Sequence, residues 1–372
     1  MHPHAAMEPF LEAVQYRRQR LEGAVSRGEK VIGYFCTYTP VELIHACGFL
    51  PVRIWARTGP AEKACAQVPG FICPYMQLSL ENALSGEFLF LSGVVQAYTC
   101  DVACGCVNIW KATFPDLLVH SIPLPYNVSP EAGAYLRSCL EETVEKLVSA
   151  GGTYSDEALA ESLDLYGRIR GILSALHEQR AQGTLAMTSA DLNVVAQAFF
   201  AMDPVHYLMM LERLVADLNS CRSILAPGIP VLVSGSVVED AGIISLVEAL
   251  GLRVAADDLC TGLRAFTPAS AAGQNPLEQV GNRIMKRFPC PARSRQSQRI
   301  PLVLDLVKSS GAQGVIFLFQ KFCTPHLADY PAVCGALKDA GIPSILLELD
   351  GNAGMEAQAL TRLETFAGMV GA

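Results

Sequence analysis

The sequence predicts an α/β protein built of two parallel-sheet lobes with a helical domain between them, and three observations carry that prediction. Short apolar runs at Val31–Phe35, Pro51–Ile54, Leu91–Val95 and Leu117–Ile122 alternate with residues at helical spacing, the pattern of βαβ units. From Pro130 to Cys221 the texture changes to helical spacing throughout, broken at Gly151-Gly152, Gly183 and Asp203-Pro204, which gives four helices. The strand and helix alternation then resumes at Ile229. The resulting division is 1–128 for an N-terminal helix and first lobe, 129–226 for the helical domain and 227–372 for the second lobe.

Within the first lobe, the opening residues read as an amphipathic helix rather than a signal peptide. After the strand Val31–Phe35, Cys36-Thr-Tyr-Thr39 is a loop. Thr39 and Glu42 form a capping box for the next helix, with Pro40 at its first position and Gly48 closing it. The N-terminus of that helix points at the loop and can hold an anionic ligand. Thr37 and Thr39 read most simply as turn and cap, and Thr37 with Glu42 is the candidate catalytic pair. The stretch Phe71–Trp110 then supplies Cys73, a helix at Tyr75–Ser85, the strand Leu91–Val95, and Cys100, Cys104 and Cys106 in a loop beyond it.

The second lobe repeats the scheme. Ile229–Ser234 is a strand, Ser236 and Glu239 cap a helix, and Leu252–Ala255 is a strand followed by the loop Asp257–Gly262. A helix at Pro301–Ser310 leads to the strand Gly314–Phe319, with Cys323 just beyond it. The strand Ser344–Glu348 and a closing helix finish the chain. Both lobes are therefore Rossmann-like. Open parallel sheets bind ligands beyond the carboxyl ends of their strands, so cysteines there imply a site in a cleft between the lobes.

With 28 basic and 36 acidic residues the net charge is −8, which argues against nucleic acid as a partner. Apolar residues make up 51% of the chain, but no run reaches the ~18 residues of a membrane span, and a cytoplasmic protein is expected. Thirteen cysteines at irregular spacing in 372 residues do not describe a disulfide scaffold. Unpaired cysteines often serve as small core residues, yet Cys100, Cys104 and Cys106 fall within seven residues and need a chemical reason. Structural zinc favours two close cysteine pairs, and no second pair exists. Cys-x₃-Cys-x-Cys is also one residue short of the radical-SAM spacing. Iron–sulfur ligation by thiolates brought together from distant loops fits better. The histidines His177 and His206 read as core or surface residues. The segment from Arg283 to Arg299, with Arg293, Arg295 and Arg299 and no acid, can receive phosphates or be a solvated face.

Several pieces resemble, in order and over nearly the whole chain, the 2-hydroxyacyl-CoA dehydratases and the related benzoyl-CoA reductase subunits. They are Gly33–Gly48, Cys73 before its helix, Thr99-Cys-Asp101, Ala256–Gly262, Lys321–His326, Gly341-Ile-Pro343 and Thr361–Glu364. The resemblance implies a [4Fe-4S] cluster held by Cys73, Cys100 and Cys323. It implies an acyl-CoA substrate, a paralogous subunit in a heterodimer or a homodimer, and a separate ATP-hydrolysing iron–sulfur activator protein. One injected electron would make a ketyl radical of the thioester and expel the 2-hydroxyl group, or, in the reductases, enter an aromatic ring. Arg293, Arg295 and Arg299 are the candidates for the CoA phosphates. The wider family also contains single-chain reductases of small molecules with a double-cubane [8Fe-9S] cluster, and the surplus of Cys36, Cys47, Cys65, Cys104 and Cys106 keeps that alternative open. A third reading is an electron-relay subunit whose cluster meets no substrate. Two departures from the family pattern, Thr-Pro-His after Cys323 and Leu263 and Ala265 around Arg264, bear on the substrate.

Overall fold

The computed structural model describes residues 5–220, 227–351 and 356–371; Cys221 and part of the turn after the last strand lie outside them. Among the described residues eight strands form two four-stranded sheets, all parallel. In the first sheet β1 (Lys30–Tyr34), β2 (Phe49–Arg53), β3 (Leu91–Ala97) and β4 (Leu118–Ile122) stand in the order β2-β1-β3-β4. In the second, β5 (Ile229–Gly235), β6 (Leu252–Asp258), β7 (Gly314–Gln320) and β8 (Ser344–Leu349) stand in the order β6-β5-β7-β8.

Parallel strands covered on both faces must be apolar on both faces, and these are. Val31 of β1 enters a core with Val52, Leu80, Val94 and Trp110, while its neighbour Ile32 enters the opposite core with Ile44, Val95 and Leu140. Ile316 and Phe317 of β7 divide in the same way. In each sheet the chain reverses winding direction beside its first strand. That places a crevice between β1 and β3, and another between β5 and β7.

The four predicted helices run Pro130–Ser149, Asp156–Gln182, Ser189–Phe199 and Pro204–Ser220. They fill the space beside both lobes. One core joins Phe10 from the N-terminal helix and Leu173, Leu192, Tyr207 and Leu211 from the helical segment to Tyr34 of the first lobe and Phe266 of the second. Among the described residues no helix is long and apolar enough to cross a membrane.

Three local expectations are corrected. The Thr39–Glu42 capping box does not form: the helix is Val41–Ala46, the Thr39 hydroxyl accepts from Ala97 N (3.2 Å), and Glu42 is drawn to arginines. Likewise Ser236 and Glu239 cap nothing. The Ser236 hydroxyl accepts from Gln320 N (2.9 Å), and the Glu239 carboxylate accepts from Ala56 N of the other lobe (2.7 Å). Finally, Cys104 and Cys106 lie in the helix Asp101–Thr113 rather than in a loop, and Asp257 and Asp258 end β6 rather than follow it. In the two capping cases a side chain that could serve its own backbone locally finds a tertiary partner instead.

Candidate active site between the lobes

Cys73, Cys100 and Cys323 share one local design. Each is the residue immediately before a helix, at Pro74–Leu84, Asp101–Thr113 and Thr324–Asp339 respectively. Helix N-termini present unpaired N–H groups and a partial positive charge, so an anionic sulfur there is stabilised. Cys100 shows the contact directly, with its sulfur accepting from Ala103 N at 3.4 Å. Before Cys323 the bulky Phe322 adopts φ 61°, in the left-handed region, and this turn brings the chain from β7 into its helix.

The three thiols come from both lobes and are electrostatic neighbours. Burial pushes the Cys323 thiol up, and the nearby Cys73 and Cys100 sulfurs push it further. Burial likewise raises Cys73 to about 12 and Cys100 to about 11. Among the described residues no three His, Cys, Asp or Glu side chains stand close enough to share a single metal ion. Cys323 also lies 3.2 Å from His326 Nδ1, and His326 Nε2 donates to the Gly235 carbonyl at 2.9 Å. Burial and the Arg264 charge lower the His326 pKa to about 3, so the ring is neutral.

Around the thiols lies a buried charge network. Asp258 accepts from Ser234 Oγ (2.9 Å), Arg264 Nε (3.0 Å) and Arg299 Nη2 (2.7 Å), and Arg299 Nε also pairs with Asp329 (3.0 Å). Arg299, 1% exposed, is thus fully engaged inside the protein. Arg293 donates to the carbonyls of Leu124 (2.8 Å) and Pro125 and lies 3.7 Å over the Tyr126 ring, while Arg295 is exposed. The Thr37 hydroxyl accepts from Arg287 Nη2 (3.0 Å), and Arg287 also donates to Arg264 O (2.8 Å), joining the first lobe's loop to the second lobe. Glu42 is 0% exposed and shared by Arg170 and Arg283 (2.9 Å), which hold its carboxyl at about 2 against the cost of burial.

A cleft of about 1090 Å³ opens between the lobes, lined by Tyr75 and Leu78 of one lobe and Val238, Glu239 and Gln320 of the other, with Arg17 and Arg57 at its side; Cys73, Cys100 and Cys323 do not line it. The remaining surplus thiols sort by burial. Cys47 and Cys106 pack in cores, Cys65 is exposed, and Cys104 is half-buried.

A family profile described as "2-hydroxyglutaryl-CoA dehydratase, D-component" matches residues 36–370, from the end of β1 to the closing helix. The chain belongs to that family. Similar proteins include the (R)-phenyllactyl-CoA dehydratase beta subunit of Clostridium sporogenes, 26% identical over 91% of both chains. The beta subunit of (R)-2-hydroxyglutaryl-CoA dehydratase from Acidaminococcus fermentans is 26% identical over 98% of both. A benzoyl-CoA reductase subunit of Thauera aromatica is 24% identical over 98% of this chain and 96% of its own. The relatives of this D-component family member are thus subunits of enzymes named for CoA thioesters, and the resemblance read from its motifs is the family found.

Sequence reasoning did not single out Gln96 or Cys290 at the site, and it met Arg287 only within the basic segment and Arg264 only in a loop that departs from the family pattern. Gln96 carried a signal: a polar residue in an apolar strand has a buried partner to satisfy, and its Oε1 accepts from both Phe35 N (3.0 Å) and Cys36 N (3.1 Å). Nothing local marks Cys290, which gains its neighbours because the Pro276–Met285 helix packs on the helices Pro130–Ser149 and Asp156–Gln182 and shares an apolar cluster with the first lobe.

Proposed function

We propose that the chain is the iron–sulfur subunit of a 2-hydroxyacyl-CoA dehydratase, acting by ATP-dependent one-electron (ketyl radical) reductive elimination of water from a CoA thioester. The observation that carries this reading is the convergence of Cys73, Cys100 and Cys323, each at a helix N-terminus, from the two lobes. The donor set fits an iron–sulfur cluster: three soft sulfurs, each at the N-terminus of a helix whose first N–H groups favour negative charge. When bound, a [4Fe-4S] cluster supplies a low-potential electron to the thioester.

The chain's own residues bind, orient and exclude. Tyr75, two residues after Cys73 and buried in edge contact with Phe35, helps exclude water from that end of the first lobe. His326, kept neutral by burial and the Arg264 charge and fixed in orientation by its bond to Gly235 O, orients the Cys323 side chain. The cleft beside Tyr75 and Gln320 has room for an acyl chain. Thr37 and Glu42 support the site from inside, with Arg287 and Arg283 as their partners. Two of the relatives are named beta subunits, and a paralogous partner subunit and an ATP-hydrolysing activator complete the proposed enzyme, which we place in the cytoplasm.

The test is an anaerobic assay of the chain with its sister subunit on a panel of 2-hydroxyacyl-CoA thioesters. The expected result is no turnover alone, turnover with an activator ATPase, Mg²⁺ and ATP, and loss of activity after brief exposure to air. Steady turnover in air without ATP would sink the reading.

For the CoA phosphates, Arg293 and Arg295 are the proposed contacts of the basic segment, because Arg299 is committed to Asp258 and Asp329. The double variant R293Q/R295Q is expected to raise KM for an acyl-CoA by about tenfold, ~1.4 kcal/mol, with iron content unchanged. An unaltered KM would remove the segment from substrate binding.

A further inference from the structure

Among the described residues seven arginines are 7% exposed or less, and five of them meet a carboxylate. A sixth, Arg287, spends its amino groups on Thr37 and on the Arg264 carbonyl. Arg53, the last residue of β2 and 4% exposed, is different. Its Nε donates to Phe35 O at 3.2 Å, but Nη1 and Nη2 are both buried with no hydrogen-bond partner, and no carboxylate pairs with them. A buried guanidinium without a counter-charge is costly, and buried polar groups left unpaired are rare enough in folded proteins to need a cause.

Packing holds the group in place without neutralising it. Arg53 N donates to Phe200 O of the helical segment at 2.9 Å, and the guanidinium carbon lies 5.3 Å from the Tyr75 ring centroid and 5.0 Å from that of Phe200. The Tyr75 hydroxyl is itself spent on the Ile54 carbonyl. Burial works against the charge of Arg53, and Tyr75, Glu239, Cys260 and Tyr34 outweigh it, so the group stays protonated. Glu239 acts from a distance, because its carboxylate accepts from Ala56 N at 2.7 Å. The neighbours of Arg53 thus include two residues that line the cleft between the lobes, Tyr75 and Glu239, and two that stand just beyond strand ends, Phe35 and Cys260.

We infer that Arg53 is the oxyanion donor of the site, its two free amino groups receiving the thioester oxygen of an acyl-CoA whose acyl end enters past Tyr75 and Glu239. The inference rests on the reductive reading proposed above, which supplies the electron. When one electron enters the thioester C=O, the carbon keeps the unpaired spin and the oxygen takes the negative charge, and no bond breaks in that step. A guanidinium is suited to meet that charge, since it donates two parallel hydrogen bonds and does not give up a proton at working pH. Held beforehand by Phe35 O, Tyr75 and Phe200, it needs no reorganisation as the charge appears, and in a site closed to water its effect is large. The unpaired amino groups of the free chain are then partners kept for the reacting oxygen.

Arg53→Met and Arg53→Lys test it, with three readouts: anaerobic kinetics beside the sister subunit and activator, iron per chain, and the urea midpoint of the substrate-free chain. For R53M, kcat is expected to fall about 10²–10³-fold with KM within about twofold, because the contact forms as charge develops. R53K, which keeps the charge and loses the planar fork, is expected to recover part of kcat. Iron content should match wild type in both variants. The urea midpoint of R53M should equal or exceed that of wild type, since Met removes an uncompensated charge and fills the space between Tyr75 and Phe200. A kcat in R53M within about threefold of wild type overturns the inference, and so does a loss of turnover that follows a lower midpoint or lost iron, which is the mark of a structural residue. A wild-type enzyme with no ATP-dependent turnover overturns the reductive reading and this inference with it, whereas a wild type and an R53M that both turn over overturn the inference alone.

Discussion

Replacing Cys73, Cys100 or Cys323 singly with Ser is expected to abolish the visible iron–sulfur absorption of the reconstituted chain while leaving far-UV circular dichroism and the denaturant midpoint almost unchanged. The two halves of this expectation have separate causes. A hydroxyl is a poor ligand for iron in a thiolate site, so loss of one of three protein ligands releases the cluster. The fold survives because each position precedes a helix, where serine is a favoured residue and its oxygen accepts from the first-turn N–H groups. At Cys100, serine replaces a 3.4 Å contact from Ala103 N with a stronger one. Full iron content in all three variants would remove these cysteines from the site, and a collapse of the circular dichroism would show that they serve packing.

Glu42→Gln is expected to lower unfolding free energy at pH 7 by about 3–5 kcal/mol, the cost of leaving buried charges without their counter-charge. Arg170 is 2% and Arg283 1% exposed, and both depend on this one carboxylate. A single carboxylate cannot satisfy both: burial and the Arg170 charge push Arg283 down to about 9, with Glu42 acting against them. The pH dependence identifies the cause. A carboxyl held at about 2 when folded and near 4.5 when unfolded gives stability that is complete above about pH 4.5 and is lost as pH falls toward 2. Gln mimics the protonated acid, so wild type and variant should converge on acidification. Urea unfolding at pH 7, 4.5 and 3.5 measures this, and a constant difference across that range would show that the loss is steric.

Much of this molecule was legible as a linear pattern. Parallel strands buried on both faces need continuous apolar runs, and the runs at Val31, Leu91, Ile229 and Gly314 mark the central strands of the two sheets. The breaks at Gly151-Gly152, Gly183 and Asp203-Pro204 separate the four helices for the equally local reason that glycine and proline interrupt helical hydrogen bonding. Cys100 and Cys323 stood out because each follows an apolar strand, and Cys73 because it stands before its helix, while their choice as one ligand set came from the family resemblance. What the sequence by itself determined, then, is everything set by residues within a few positions of one another: the elements, their order, and the strand-end location of the thiols. Only the tertiary structure decided which groups share the site. Thr39, Glu42, Ser236 and Glu239 have the spacing of helix caps yet spend their side chains on distant strands, arginines and the other lobe, because a buried polar group takes the partner that packing delivers. Arg299 reads as a surface cation in the sequence and is a buried counter-ion of Asp258 in the fold, and Cys290 acquires its neighbours only when the Pro276–Met285 helix packs on the helical segment and joins the apolar cluster shared with the first lobe. Those outcomes depend on contacts between residues far apart in the chain, for which no short window of sequence carries the information.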